Sequence, residues 1–134
     1  MTVAAIQSAV YAALAAHAAL ATQVGARVYP DEAPQGTVSP YVVWQEISLV
    51  AQGNDLGGSV ETGGLSQYRV QITSWAKGSD RGATKAREVD GNVKLAMIAA
   101  TGFKSLLVDS RALPYESETK FHGVQSDFSV WLRT

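Results

Sequence analysis

The residues most able to do chemistry in this chain are two histidines, and their surroundings favour a structural role. His17 lies in an alanine-rich stretch, and His122 stands at the start of the last predicted strand. Neither stands in the HExxH spacing that aims two imidazoles from one helical face at a zinc ion. No serine stands in the G-x-S-x-G pattern, whose tight turn exposes a nucleophilic hydroxyl. Both histidines are therefore interpreted as surface or capping residues, and no catalytic residue is predicted.

Two further stretches contain groups that bind phosphate or transfer protons in other proteins. Residues 57–64 (GGSVETGG) are rich in glycine, but they lack the Gly-Lys-Ser/Thr ending and the following helix of a P-loop. Asp31 and Glu32 are adjacent carboxylates on a predicted loop, and adjacency alone does not make an acid–base pair. The sequence therefore predicts a protein that is not an enzyme and holds no metal or cofactor.

Length and composition indicate one globular domain over residues 1–134. A chain of this length is large enough to bury its own core. Hydrophobic residues make up 46% of the chain and charged residues 17%, which excludes a disordered chain. The absence of cysteine excludes a disulfide scaffold and a thiolate metal site, and it fits a reducing compartment. We therefore expect a protein made in the cytoplasm.

The apolar N-terminal stretch does not have the character of a membrane segment. It is mostly alanine, it is interrupted by Gln7, Ser8 and His17, and no basic residues precede it. A signal peptide needs a basic start, and a spanning helix needs a longer and more apolar run. We therefore expect neither, and we expect no membrane partner.

The charge pattern argues against a nucleic-acid-binding surface. The net charge is −1, so the chain has no overall basic field. The densest basic group surrounds the start of the second predicted helix, where Asp80 and Glu88 interrupt it. Its members are Lys77, Arg81, Lys85 and Arg87. Such interleaving is typical of a solvated helix face.

The apolar spacing predicts an α+β fold of order α-β-β-β-α-β-β, with a largely antiparallel sheet packed against two helices. The first helix has apolar residues at steps of three and four and ends before Gly25. A break near His17 into two short helices is left open. The predicted strands are residues 27–29, 41–49, 65–76, 104–113 and 121–133. The second helix runs from 79 or 80 to about 100, with a buried stripe of Ala83, Ala86, Val89, Val93, Ala96, Met97 and Ala100.

Two segments between these elements carry structural signals of their own. Pro30, Pro34 and Pro40 bound a stiff loop, since each lacks an N–H and holds the preceding residue extended. Residues 50–64 contain five glycines and little that is apolar. This second segment is either a flexible hairpin tip or an arm that orders against another subunit or projects into a channel.

The three tryptophans each share the strand alternation of polar residues. Trp75 and Trp131 share the alternation of the polar residues in their strands, and Trp44 shares that of Glu46. Either a helix or loop of the same chain covers them, or a second copy buries them, as aromatic residues concentrate at interfaces. In the second case one sheet face packs on the helices and the other meets a neighbour or lines a pore.

Four stretches in this order resemble the tail-completion (tail-terminator) proteins of long-tailed bacteriophages and prophages. The first follows an alanine- and leucine-rich helix and is the most distinctive. The four stretches are VGARVYPDEAPQG at 24–36, PYVVWQ at 40–45, SQYRVQITSW at 66–75 and DFSVW at 127–131. The stretches lie between residues 24 and 131, and the resemblance, taken in this order, covers most of the chain.

The resemblance implies a structural virion protein of the tail and neck, assembled in the cytoplasm of the bacterial host. Such proteins form a homohexameric ring on the head-proximal end of the tail tube. The ring stops addition of the tail tube protein and docks to the head–tail connector or stopper protein. DNA passes through the lumen without specific binding. A near-neutral chain suits such a lumen, so we expect no ring of Lys or Arg to face it.

On this interpretation the contact residues fall into two groups. Subunit contacts are expected at Tyr29, Pro30, Asp31, Pro34, Gln35, Tyr41, Trp44, Arg69, Gln71, Trp75 and Trp131. Contacts of the 50–64 arm with tube or connector are expected at Asn54, Asp55, Leu56, Val60 and Glu61. Two alternatives stay open: another neck component, such as a head-completion or minor tail ring protein, and a monomeric ligand-binding α+β domain.

Overall fold

The structure is a computed structural model that describes residues 5–52, 65–78 and 82–133. In this part of the chain, helices pack on one face of a five-stranded sheet of order β1-β2-β3-β5-β4. The helices are α1 (Ala5–Ala16), α2 (Ala18–Val24) and α3 (Gly82–Ala99). The strands are β1 (Val28–Pro30), β2 (Tyr41–Gln52), β3 (Leu65–Lys77), β4 (Lys104–Ala112) and β5 (Phe121–Arg133). The predicted α+β class is confirmed, with the first helical region divided in two.

The division of the first helical region occurs at His17. Its backbone is extended, and its Nδ1 accepts a hydrogen bond from the backbone N–H of Leu20 at 3.4 Å. Such a cap satisfies one of the N–H groups that the first turn of a helix leaves without an intrahelical partner. Leu20 and Val24 of α2 then enter the core beside the apolar stripe of α1. Gly25 ends α2 with a φ of 59°, as the helix-stop signal predicted.

The short strand β1 gives the sheet its one parallel pair in the described residues. It aligns Val28 with Val42 and Pro30 with Trp44, and every other neighbouring pair is antiparallel. The side chain of Arg27 fixes the base of the following proline loop, because its Nε donates to the carbonyl of Pro40 at 2.9 Å. The loop therefore leaves and returns on the same edge of the sheet.

The centre of the sheet is the long pairing of β3 with β5, flanked by β2 and β4. Tyr68, Val70 and Ile72 of β3 lie fully buried against the helices. Residues that alternate with them point to the opposite face, because successive strand side chains take opposite sides. The terminal hairpin of β4 and β5 lies where the sequence predicted it.

Helix α3 covers this core with a stripe close to the predicted one. Ala86, Val89, Val93, Ala96 and Met97 are buried as predicted. Ala83 was wrongly predicted to be buried, because the helix turns Gly82 toward the sheet and leaves Ala83 in solvent. A Cβ on Gly82 would lie 2.5 Å from the His122 ring, so only glycine fits against that side chain. Ala100 follows the last helical residue and is half-buried.

A buried carboxylate that the sequence did not reveal joins α3 to the terminal hairpin. Asp90 is 3% exposed, and it accepts a hydrogen bond from Ser126 of β5 at 2.6 Å. The Ser110 hydroxyl of β4 lies 3.0 Å from Ser126 Oγ, and Lys94 pairs with Asp90 at 2.8 Å. A buried charge is tolerated only when it is paired and hydrogen-bonded, and these contacts meet that requirement.

A second polar group lies where β2 bulges between Glu46 and Ser48. One carboxyl oxygen of Glu46 and the hydroxyl of the buried Tyr68 have no hydrogen-bond partner among the described residues. Burial raises the pKa of Glu46 above its ordinary value. Burial, and secondarily the Glu46 charge, raise the pKa of Tyr68. The folded chain therefore holds the Glu46 proton more tightly than the unfolded chain does.

Glu46→Gln tests this linkage between protonation and stability. Between the ordinary and the raised pKa the folded state binds more protons, so the wild-type free energy of unfolding falls as pH rises through that window. We expect Glu46→Gln to flatten this decline and to be more stable than wild type at neutral pH. Urea denaturation at several pH values measures the free energy of unfolding of wild type and variant. The exposed Glu118→Gln is the matched control and should retain the wild-type profile; a profile of Glu46→Gln that also matches wild type would contradict the burial argument.

Gly123 permits a close approach of β5 to the aromatic ring beside it. A Cβ there would lie 2.8 Å from Cζ3 of Trp75 and 3.0 Å from Cδ1 of Leu113. We expect Gly123→Ala to destabilise the fold by about 1–3 kcal/mol through overpacking. Gly91→Ala makes the same chemical change on α3, where nothing lies within 4 Å of the new methyl. It should stabilise the fold by about 0.5–1 kcal/mol, because glycine is costly inside a helix. Denaturant midpoints that shift in the same direction for both would refute this.

Candidate functional site

The face of the sheet that points away from the helices is mostly polar and is called the outer face here. Its middle part carries hydrogen bonds between side chains of β3 and β5, from Gln71 to the directly opposite Asp127 and from Gln67 diagonally to Ser129. In each pair the glutamine amide donates to the β5 side chain, at 3.1 Å and 3.2 Å respectively. Gln125 also lies within 3.4 Å of Thr73 Oγ1. The central rows are thus a ladder of hydrogen-bonded amides and hydroxyls.

On the outer face the charge of Arg111 is paired within the chain, whereas Arg69, Lys77 and Lys104 of the same face form no ion pair within the described residues. Arg111 of β4 pairs with Asp109 at 2.8 Å and with Asp127 at 3.4 Å. Its second guanidinium nitrogen donates to Gln125. These pairs are part-exposed, so they add little to stability, but they hold the guanidinium flat against the sheet. A polyanion that meets this part of the face encounters compensated charge.

One end of the outer face carries an aromatic cluster. Trp75 lies over Gly123, and its ring meets Phe121 edge-on at 6.0 Å between centroids. Tyr41 meets the same Phe121 ring edge-on at 5.9 Å. Burial and, secondarily, the Glu116 carboxylate raise the pKa of the Tyr41 hydroxyl. Trp75 is therefore half covered by its own chain and half exposed on the outer face.

The proline loop stands beside this cluster and forms a shallow cleft with it, of about 350 Å³. Asp31 and Glu32 of the loop line one side, and Gln45, Gln71 and Trp75 are among the residues on the sheet side. The backbone N–H of Asp31 donates to the carbonyl of Trp44 at 2.8 Å, which fixes the loop against β2. The structure thus brings together predicted residues from two separate stretches of sequence.

The other predicted contact residues are divided between solvent, the outer face and the core. Pro30, Pro34 and Gln35 are exposed in the loop region, and Tyr29 is half-buried. Arg69 and Trp131 are half-buried on the outer face, toward the end opposite the aromatic cluster. The predicted arm residues Asn54, Asp55, Leu56, Val60 and Glu61 lie outside the described residues.

Trp44 was wrongly predicted to lie on a polar face. It is 5% exposed and belongs to the helix-side core with Val42. The error arose from Glu46, which shares the parity of Trp44 and was assumed to face solvent. The carboxyl group of Glu46 is instead partly buried on the same side. Trp44 is therefore covered by its own chain, as one of the two alternatives stated.

Sequence analysis missed the ladder partners Gln67, Gln125, Asp127 and Arg111 as members of one surface. The signal that identifies them is the strand alternation combined with the cross-strand register, in which residues directly opposite each other share a face. The alternation was visible in the sequence, but the register was not. The ladder therefore depends on the register of β3 against β5, which the sequence does not show.

A groove of about 510 Å³ between α1 and α3 bears on the alternative of a ligand-binding domain. It is lined mostly by alanines, including Ala13 and Ala96, with His17, Thr101 and Gly102 at its margin. Specific small-molecule sites usually combine apolar walls with several convergent polar groups. This lining offers two polar side chains, so it gives little support to a small-molecule site.

None of the helices in residues 5–52, 65–78 and 82–133 is both long and apolar enough to cross a membrane. Across those same ranges, no three His, Cys, Asp or Glu side chains come together as metal ligands.

Comparisons with known proteins place the chain in a family. A search of the curated proteins finds no match to the sequence. A solved structure described as "Virion of native gene transfer agent (GTA) particle" contains a chain 20% identical to this one, with a TM-score of 0.72 over 96% of this chain and 95% of that chain, which shows a shared fold. The family model "Tail completion protein gp17" matches residues 8–133. The chain therefore belongs to the tail completion protein gp17 family, and it is a structural protein of the phage tail and neck.

Proposed function

We propose that copies of this protein form a ring that caps the head-proximal end of the tail tube. The ring would stop addition of further tube subunits and present a surface to the head–tail connector. The observation that carries this proposal is the tail completion family match over residues 8–133. The proposed mechanism is binding alone, without catalytic turnover.

The chemistry of the outer face supports a role as the lumen of such a ring. Its amide ladder offers hydrogen-bonding groups that are already paired, and Arg111 is held by two carboxylates. Affinity for DNA comes mainly from unpaired Lys and Arg that meet phosphates. The part of a lumen lined by the ladder and Arg111 would then retain DNA weakly, while Arg69, Lys77 and Lys104 lie elsewhere on the same face. The expectation that no ring of Lys or Arg faces the pore stays a prediction.

The proposed subunit contacts are divided between the β1 edge of the sheet and the outer face itself. The proline loop, with Tyr29, Pro30, Asp31, Pro34 and Gln35, projects at the β1 edge of the sheet. The second group on the face itself comprises Tyr41, Arg69, Gln71, Trp75 and Trp131. Of these, Trp131 is one strand away from the opposite edge, beside Lys104 of β4. Half-exposed aromatic residues near edges suit contacts between copies, because large aromatic side chains dominate interface energetics. The 50–64 arm is the proposed contact with tube or connector.

Addition of the purified protein to polymerising tail-tube subunits tests the function directly. We expect the mean tube length to fall as the protein is titrated in, and electron microscopy should show a ring at one tube end. Trp131→Ala should raise the concentration needed for half-maximal capping about tenfold or more, as for loss of an interface anchor. Leu95→Ala is the matched control, since Leu95 is an exposed apolar residue on α3, away from the outer face.

The same assay separates the proposal from its nearest alternative. A protein of another neck layer would leave tube length unchanged and would bind DNA-filled heads instead. That result would replace the capping role with a head-completion role. A protein that bound neither tubes nor heads would refute both.

A further inference from the structure

β4 forms one edge of the sheet, and several of its large apolar side chains are exposed. In the described part of the chain β4 pairs with β5 on one side, and its other side has no strand partner. Leu106, Leu107 and Val108 are consecutive and are 64%, 43% and 45% exposed. Soluble proteins usually protect such an edge, because its free N–H and C=O groups pair readily with another strand. This edge is not protected by charge at its centre.

The opposite edge is open over part of its length. The short strand β1 covers only Val42, Val43 and Trp44 of β2. Residues 45–52 of β2 therefore pair with β3 on one side and with no described strand on the other. Ile47 lies in this open segment and is 49% exposed. Within the described residues the sheet thus has two open edges, each with exposed aliphatic side chains.

The two open edges lie at opposite ends of the same row of the sheet. Glu46 pairs with Val70, Val70 with Phe128, and Phe128 with Leu107. Each edge strand also bulges beside this row, between Glu46 and Ser48 on β2 and between Leu107 and Asp109 on β4. The residues inside the two bulges are Ile47 and Val108. The row from Glu46 to Leu107 therefore crosses the whole sheet, and at each end an exposed apolar bulge residue lies beside it.

Strand direction allows these edges to join between copies in one continuous sheet. Three antiparallel pairings separate β2 from β4, so the two strands run in opposite directions. A second copy placed beside the first in the same orientation would therefore bring its β2 antiparallel to the first copy's β4. Antiparallel pairing satisfies both free edges with regular hydrogen bonds.

The position of β1 limits how far this pairing extends. When the rows of paired residues are followed across the sheet, Ala112 of β4 falls on the same row as Val42 of β2. The outer side of Val42 is already paired with β1. The segment of β4 that ends with its bulge, residues 104–108, lies on the rows of residues 46–50. This overlap of about five residues has the length of an ordinary strand, about 17 Å.

We propose that neighbouring copies join edge to edge, with residues 104–108 of one copy pairing antiparallel with residues 46–50 of the next. Ile47 then meets the Leu107–Val108 bulge, and Leu106 lies opposite Ser48. The partner is a second copy because one chain carries both edges at matching rows. Such a head-to-tail contact closes into a ring when its rotation is a whole fraction of a turn. This inference rests on the proposed ring and names its contact.

This contact also determines the orientation of the two sheet faces. A wall built by edge pairing keeps every helix layer on one side and every outer face on the other. The outer face would then line the lumen, and the proline loop of one copy would lie beside Asp109 and Arg111 of its neighbour.

Disulfide trapping tests the contact, because the chain has no native cysteine to interfere. Residues directly opposite across antiparallel strands have Cβ atoms about 4.5–5.5 Å apart, near the reach of a disulfide. The variant Ser48→Cys/Leu106→Cys should form a covalent ladder under mild oxidation in the presence of polymerised tail tubes. Each single variant should remain uncrosslinked. Ser48→Cys/Ile98→Cys is the matched control, because Ile98 is exposed on α3, and it should give no ladder.

The trapping outcomes separate this contact from the ring itself. Rings seen on tube ends without a ladder would overturn the edge contact and leave the proposed function intact. Failure of the protein to form rings on tubes would overturn both. Crosslinking of either single variant to itself would show like edges pairing about a two-fold axis, which also contradicts the proposal.

A second variant gives a measurement that does not depend on oxidation. Leu106→Lys places a charge on the open edge without entering the core, and an edge lysine opposes strand pairing. It should raise the concentration for half-maximal ring formation at least tenfold while leaving the monomer's urea midpoint unchanged. Leu95→Lys is the control and should assemble as wild type. Normal assembly of Leu106→Lys would overturn the edge contact.

Discussion

Burial of one sheet face beneath the helices is the constraint on which the rest of this structure depends. Tyr68, Val70 and Ile72 are withdrawn from water on that face, and α3 lies across them. Each fully buried aliphatic side chain contributes roughly 1.5–3 kcal/mol, so the alternation of β3 decides which face is inward. Once that face is fixed, every intervening residue must tolerate solvent or a partner. The polar outer face is therefore a direct consequence of how the core is built.

The same constraint explains why the edges remain available. The helices cover a face, and no described residue pairs with the outer side of β4 or of residues 45–52 of β2, so hydrogen-bonding capacity is left at both edges of the described sheet. The β1 strand closes only three rows of one end. A protein that acted alone would be expected to protect such edges, since they promote aggregation. The edge contact proposed above would use them.

The sequence predicted those parts of the fold that depend on local pattern. The alternation of β3, the helix stop at Gly25 and the terminal hairpin were all visible in residue order. Features that depend on contacts distant in sequence were not. Asp90 is buried because Ser126 reaches it from 36 residues away, and nothing in the spacing of α3 reveals that contact. The parallel direction of β1 likewise depends on how the proline loop returns to β2.

Trp44 shows that sequence-based prediction has the same limit for the candidate surface. The segment Val42-Val43-Trp44 is apolar at both parities, so alternation alone does not choose a face. The outer-face ladder could be predicted only as two separate polar stripes, because cross-strand register is set by the turns and the bulges. The predicted contact residues on the proline loop and on β3 do converge at one cleft. The subunit contacts themselves stay predictions.

The bulge of β2 places the least favourable buried group of the core, the carboxyl of Glu46, next to the open edge of the sheet. The carboxyl of Glu46, with one oxygen unpartnered among the described residues, is adjacent in sequence to the exposed Ile47. Proteins tend to violate the usual packing rules where function requires it, and compensate elsewhere. A neighbouring strand laid over this bulge would supply backbone N–H groups and cover Ile47. The isolated chain would then be least stable at the place where assembly adds the most stabilisation, which favours the ring over the free monomer.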